Sequence, residues 1–270
     1  MEDNIKSPQK IWEQYQIGLN YMRSKGLLSI WEECENFYEG NQWPKVTPRT
    51  KSLPRPVFNI CSMIADNKKA GILSGNVKMI YKPAEMFGNL LDKAELGADI
   101  FTKFSENLTK EIKEEDLDDQ AISLTTQLGS AFFHYYWDVT VSGGQYTSYV
   151  GATRAEVLHP KNVIVSNPTE RDIQKQKYII IASSEPLDSV KELAKRNGLK
   201  DYENIKADNE LSESEKGLEQ VTVLTKYSRQ NGKIVWEKAT KDYYLQKPTL
   251  WEPIKEEVTF EDEQEINEPD

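Results

Sequence analysis

The spacing of apolar residues changes at Gly129, and that change sets what the chain can fold into. Before it, apolar side chains recur at the spacing of amphipathic helices; after it, they alternate as in strands. Helices first, then mostly antiparallel strands and hairpins with one inserted helix, is an α+β arrangement.

In the first half, Ile11, Trp12, Tyr15, Leu19 and Met22 define a helix that Ser7-Pro8 starts and Gly26 breaks. A second helix is predicted from about Leu28 to Phe37, with Ile30, Trp31, Cys34, Phe37 and Tyr38 apolar and Gly40 as a left-handed stop. Residues 44–56, PKVTPRTKSLPRP, hold four prolines and four cations: Lys45, Arg49, Lys51 and Arg55. Proline denies both helix and central strand, so this stretch reads as an extended basic loop. Asn59 is placed to cap a helix over 60–73, with Gly75 as its stop, and Val77–Tyr81 reads as a strand closed by Pro83. Leu90, Ala94, Phe101, Phe104 and Leu108 share one face of a long helix. Leu117, Ala121, Leu124 and Leu128 share a face of the next, which Gly129 ends and whose acidic first turn suits the helix dipole.

In the second half, AFFHYYWDV reads as an aromatic strand, Ser142-Gly143-Gly144 as a turn and QYTSYV as the returning strand. Further strands are expected at 155–158, 162–165 and 177–182. A short helix fits 187–197, with Val190, Leu193 and Ala194 inward and Gly198 as its cap. Residues 200–218 read as a loop. VTVLTKY, the turn Asn231-Gly232 and KIVWEKA make the strongest hairpin signal, and YYLQK is a final strand before Pro248. No internal repeat is present.

Charge is unevenly placed. The net charge is -10, and residues 252–270, with nine acids and one lysine, carry most of it. The organisation expected is a body over 1–253 and an acidic, weakly structured tail over 254–270. A near-neutral body lacks the basic field that drives tight DNA binding by counterion release. No apolar run is long enough to span a bilayer, and MEDNIKSPQK has no apolar leader region, so neither a membrane span nor a Sec signal is expected. Two cysteines, Cys34 and Cys61, fit a reducing compartment.

Motifs for chemistry are sparse. The phosphate-binding pattern GxxxxGK[ST], the dinucleotide pattern GxGxxG before a helix, HExxH, CxxC and GxSxG are all absent. His134 reads as a strand-face or packed histidine and His159, before Pro160, as a loop residue. Both cysteines read as buried structural thiols, although Cys61 lies where a helix dipole lowers a thiol pKa. Glu114–Asp119 offers carboxylates to Mg²⁺, but consecutive residues point to different faces, so a solvated helix start is the simpler reading. The aromatic strand 132–137 reads as core rather than as a stacking platform for single strands. Lys45, Arg49, Lys51 and Arg55 suit contact with phosphate or with a neighbouring subunit.

One ordered set of segments carries a resemblance. It begins with Phe37-Tyr38-Glu39-Gly40-Asn41-Gln42-Trp43, the basic loop, and Arg55-Pro56-Val57-Phe58-Asn59. A helix over Ile64–Ser74 and the segment Gly75-Asn76-Val77-Lys78 follow. Val157–Ile164, including Pro160, then Asn167-Pro168 and Asp172–Ile181 complete the set. In this order they resemble the N-terminal, wing-containing region of portal proteins from tailed phages and prophages of Gram-positive bacteria. The resemblance implies a structural, non-enzymatic component of the capsid portal vertex, made in the host bacterial cytoplasm and carried in the virion. Its implied partners are copies of itself in a ring of about twelve, capsid protein, the terminase motor, head-completion or tail proteins, and the DNA that passes through; no cofactor or metal is implied. Stem and clip elements of such proteins follow the wing, so the chain is expected to be truncated before them. The rival readings are a metal-dependent nuclease using Glu114 or Asp118, and an intracellular adaptor using its hairpins and acidic tail.

Overall fold

A computed structural model describes residues 8–75, 79–83, 91–142, 150–208 and 219–250. The expected tail over 254–270 lies outside the described residues, as do Ser7, Val77, Lys78, Leu90, most of the 142–150 turn and return, and part of the 200–218 loop. The chain is α+β: six α-helices, a two-stranded antiparallel sheet and a five-stranded sheet among the described residues. It divides into two compact units, residues 13–165 and residues 166–270 with the first twelve.

The first unit is built mainly from helices. They are α1 (Pro8–Ser24), which enters it from the N-terminus, α2 (Leu27–Glu39), α3 (Ile60–Leu73), α4 (Leu91–Ile112) and α5 (Glu114–Leu128). Gly18 lets α1 approach Ile164, since a Cβ at that position would overlap the isoleucine side chain. Gly40 ends α2 at φ 86° and Gly129 ends α5 at φ 84°, as the sequence predicts. Gly75 is no such stop: α3 ends at Ser74 in a right-handed conformation. Leu117, Ala121 and Leu128 are the buried face of α5. The face assigned to α4 is not buried; Phe101 and Phe104 are each 62% exposed. Periodicity shows that apolar groups share a side, not that this chain covers that side. Met79–Tyr81 form no strand.

β1 (Phe132–Ser142) and β2 (Val150–Leu158) pair antiparallel, from Phe132 opposite Leu158 to Asp138 opposite Ala152. The strand expected at 155–158 therefore reaches back to Val150, and residues 145–149 of the expected return strand lie outside the described residues. Gly151 and the alanines of β2 weaken its intrinsic strand signal. Pairing supplies what propensity lacks: Gly151 sits at φ 95°, and the Trp137 indole occupies the space its Cβ would take. After β2, Pro160–Asn162 makes a 3₁₀ turn that His159 caps by accepting from Lys161 N–H at 3.1 Å.

β3 (Val163–Val165) is first in a sheet of order β3-β4-β5-β6-β7. The others are β4 (Tyr178–Pro186), β5 (Gln220–Gln230), β6 (Lys233–Ala239) and β7 (Tyr244–Leu250). Asn231 and Gly232, at φ 50° and 81°, make the predicted hairpin turn between β5 and β6. β7 runs past Pro248, which is tolerated because β7 is an edge strand. α6 (Leu187–Arg196) places Leu187, Val190 and Ala194 against Val221, Val223, Leu245 and Ile205. On the alternate positions Ile180, Leu224, Val235 and Ala239 are also buried, with the ion pair Lys226–Glu237 among them at 3.1 Å. β5 is thus buried on both sides, with Val221 and Val223 on one face and Leu224 and Lys226 on the other.

Candidate functional site

The segments around the basic loop close on one another. Gly40 N–H reaches the carbonyls of Asn36 and Phe37, and Asn41 N–H reaches Asn36 O at 2.7 Å, so the last turn of α2 is satisfied as the chain leaves it. The Trp43 indole N–H donates to Pro56 O at 3.0 Å. Arg55 donates to Pro44 O at 2.7 Å and to Thr50 Oγ1 at 2.9 Å, and its guanidinium stands 5.8 Å from the Trp43 ring. Two successive turns, Thr50 N–H to Thr47 O and Leu53 N–H to Thr50 O, form the tip. Without regular structure, the loop is nevertheless a braced hook.

Asn59 joins the helices at its base. Its Oδ1 accepts from Ser62 N–H at 3.2 Å, capping α3, while its Nδ2 donates to Tyr38 O at 2.6 Å. The Tyr38 hydroxyl donates to Asp66 Oδ1 at 2.7 Å, and that bond, followed by burial, raises the tyrosine pKa. Phe58 is 76% exposed, and Val57 and Phe37 are also exposed.

Of the four predicted contact cations, Arg55 is committed to bracing the loop. Lys45, Arg49 and Lys51 are exposed and, among the described residues, have no ion pair. The sequence between Gly40 and Asp66 contains no acid to neutralise them.

The later motif residues lie elsewhere. Pro160 is buried in its 3₁₀ turn, where neighbouring His159 Nε2 meets Glu35 Oε1 on α2 at 2.8 Å. Asn167 and Pro168 belong to the other unit. There Asn167 Oδ1 accepts from Thr169 N–H and Oγ1, and Gln176 bonds both the N–H and the carbonyl of Asn167. These are turn-fixing contacts.

The aromatic strand departs from its expected core role. Phe133, Tyr135 and Trp137, at alternate positions on one face of β1, are 44, 55 and 56% exposed, and Phe133 and Tyr135 stack at 6.2 Å. On the other face His134 stacks on Tyr136 at 5.1 Å and meets Glu156 Oε1 at 2.8 Å. A two-stranded ribbon has no second layer built into it, which is why aromatic density alone did not guarantee burial. Tyr135 also stands beside α5: burial first, then the Glu114 and Asp118 carboxylates, raise its pKa. Burial and Glu114 likewise raise the Asp118 pKa.

Neither thiol is buried as expected; Cys34 is half-buried and Cys61 exposed. Among the described residues no three His, Cys, Asp or Glu side chains gather as a metal site, and Asp119 instead pairs with Lys69 at 2.7 Å. Among those residues no helix is long and apolar enough to cross a membrane. No protein-family model matches the chain, and no curated protein matches it.

Proposed function

We propose that the chain is the wing-containing part of a phage portal protein, a structural component of the capsid vertex. The observation that carries this reading is the closure of the resembling segments on each other. FYEGNQW and RPVFN meet through Trp43–Pro56, Arg55–Pro44 and Asn59–Tyr38, all bonds that hold backbone in place. Residues used in this way are scaffold residues, and their pattern needs no catalytic explanation.

The exposed apolar surface supports an assembling role. Ile60, Met63, Ile64 and Ile72 on α3 and Leu96, Ile100, Phe101 and Phe104 on α4 are all more than 45% exposed. Apolar side chains exposed at this density favour contact with other protein. In the proposed vertex those contacts are further copies of the chain and capsid protein. The terminase supplies ATP hydrolysis, tail or head-completion proteins dock below, and DNA passes without being gripped.

The test is immunogold electron microscopy of particles from cells that express the native gene. Label at a single vertex of each particle is expected. Label absent from particles, or spread over the whole shell, would overturn the reading. A Mg²⁺-dependent nuclease activity lost on Asp118→Asn would favour the enzymatic alternative instead.

A further inference from the structure

Two surfaces of the first unit carry opposite, uncompensated charge beside exposed apolar groups. The first is the braced loop. Arg49 and Lys51 lie in its turns, Lys45 in its approach, and Val46 and Leu53 are 63 and 59% exposed beside them. The second is the start of α5, a helix that packs on the β1–β2 ribbon through β2. Glu114 and Asp118 are one helical turn apart, a repulsive spacing for like charges, and neither has an ion pair among the described residues. The helix dipole favours an acid at Glu114, in the first turn, but falls off before Asp118. Tyr135, and beyond it Phe133 and Trp137, supply exposed aromatic surface next to these acids.

We infer that the basic loop of one copy docks head to tail on the α5–β1 face of a second copy. Proline restricts the backbone of the loop before contact, which lowers the entropic cost of docking, and acids on the facing surface select for Arg and Lys. Here the restriction is increased by Arg55 and Trp43, which hold the loop shape before contact. Donor and acceptor surfaces are different patches of the same chain. Such a contact is heterologous, and repetition closes it into a ring when the rotation permits. The inference deepens the assembly reading and rests on it only for the biological setting of the contact.

Sedimentation velocity of the full chain over a range of concentration and salt tests it. The wild-type protein is expected to self-associate, more weakly as salt rises. Arg49→Glu and Asp118→Lys are each expected to weaken association by about tenfold, and the combined charge swap to recover most of that loss. Asp118→Lys also replaces a repulsive turn-spaced pair with an attractive one, so the variant is expected to stay folded. Tyr135→Ala is expected to weaken association without changing its salt dependence. A monomer at every concentration, or association indifferent to both charge reversals, would overturn the proposal. Single-vertex label on particles together with indifferent association would sink this contact and leave the vertex role standing; loss of the vertex label with an intact charge-swap rescue would do the reverse.

Discussion

Asn59 donates to the Tyr38 carbonyl at 2.6 Å while the same side chain caps α3 through Ser62 N–H. One amide thus satisfies a carbonyl near the end of α2 and an amide at the start of α3, and so fixes where the loop leaves and returns. Asn59→Ala removes both bonds. A cap and a neutral hydrogen bond are each worth about 1 kcal/mol, so a loss of about 2 kcal/mol is expected. Asn59→Asp keeps the capping oxygen but cannot donate to Tyr38, so about half the loss remains. Denaturant unfolding gives the totals, and hydrogen exchange should place the change at the first turn of α3. Equal effects of Ala and Asp would show that the cap contributes nothing.

Gly18 is expected to tolerate no side chain while Ile164 is intact. A methyl group there gains up to about 1 kcal/mol of helix propensity but collides with the isoleucine; overpacking costs about 1–3 kcal/mol. Gly18→Ala should therefore destabilise the protein, and adding Ile164→Ala should cost less than the sum of the two changes. Additive effects in a double-mutant thermal unfolding cycle would remove the collision as the cause.

The Lys226–Glu237 pair lies directly across β5 and β6, and both side chains are almost wholly buried. Neither Glu237 oxygen has a hydrogen-bond partner among the described residues, so the contact is one of charge rather than directed bonding. Removing one member strands the other and is expected to cost about 3–5 kcal/mol, as in Lys226→Met. The double change Lys226→Met/Glu237→Leu should recover most of it, measured by urea unfolding. If it does not, the pair holds the sheet in a way that apolar packing cannot replace.

Burial, and secondarily Glu237, push the Tyr244 hydroxyl up to about 12. A raised tyrosine pKa means that the folded chain keeps a proton the unfolded chain has lost. Its stabilisation is present below the ordinary value of about 10 and is lost as pH rises from there through 12. The melting temperature should fall across that window, and Tyr244→Phe should flatten the fall relative to wild type. An identical slope in both proteins would assign the alkaline loss to other groups.

Elements marked by local chemistry were the legible ones. Gly40 and Gly129 stop helices, Asn59 caps one, and Asn231-Gly232 turns a hairpin, because each depends on a neighbour or two along the chain. The failures share another cause. Phe101, Phe104, Tyr135 and Trp137 have the right period for burial, yet the chain leaves them exposed. Residues 151–154 were missed as part of β2 because Gly151 hides a strand that the Trp137 ring and the partner register make stable. The cysteines were assigned to a core that does not cover them.

At the candidate surface, residue order alone is enough to show that prolines and cations form a loop without nearby acids. It also determined the order of the helices and hairpins, since apolar period and turn chemistry act over a few residues. That Arg55 braces the loop while Lys45, Arg49 and Lys51 remain available follows from the folded arrangement. It alone brought Glu114 and Asp118 beside Tyr135. Those relations are set by long-range packing and by the desolvation each side chain meets, neither of which is written in the spacing of residues along the chain.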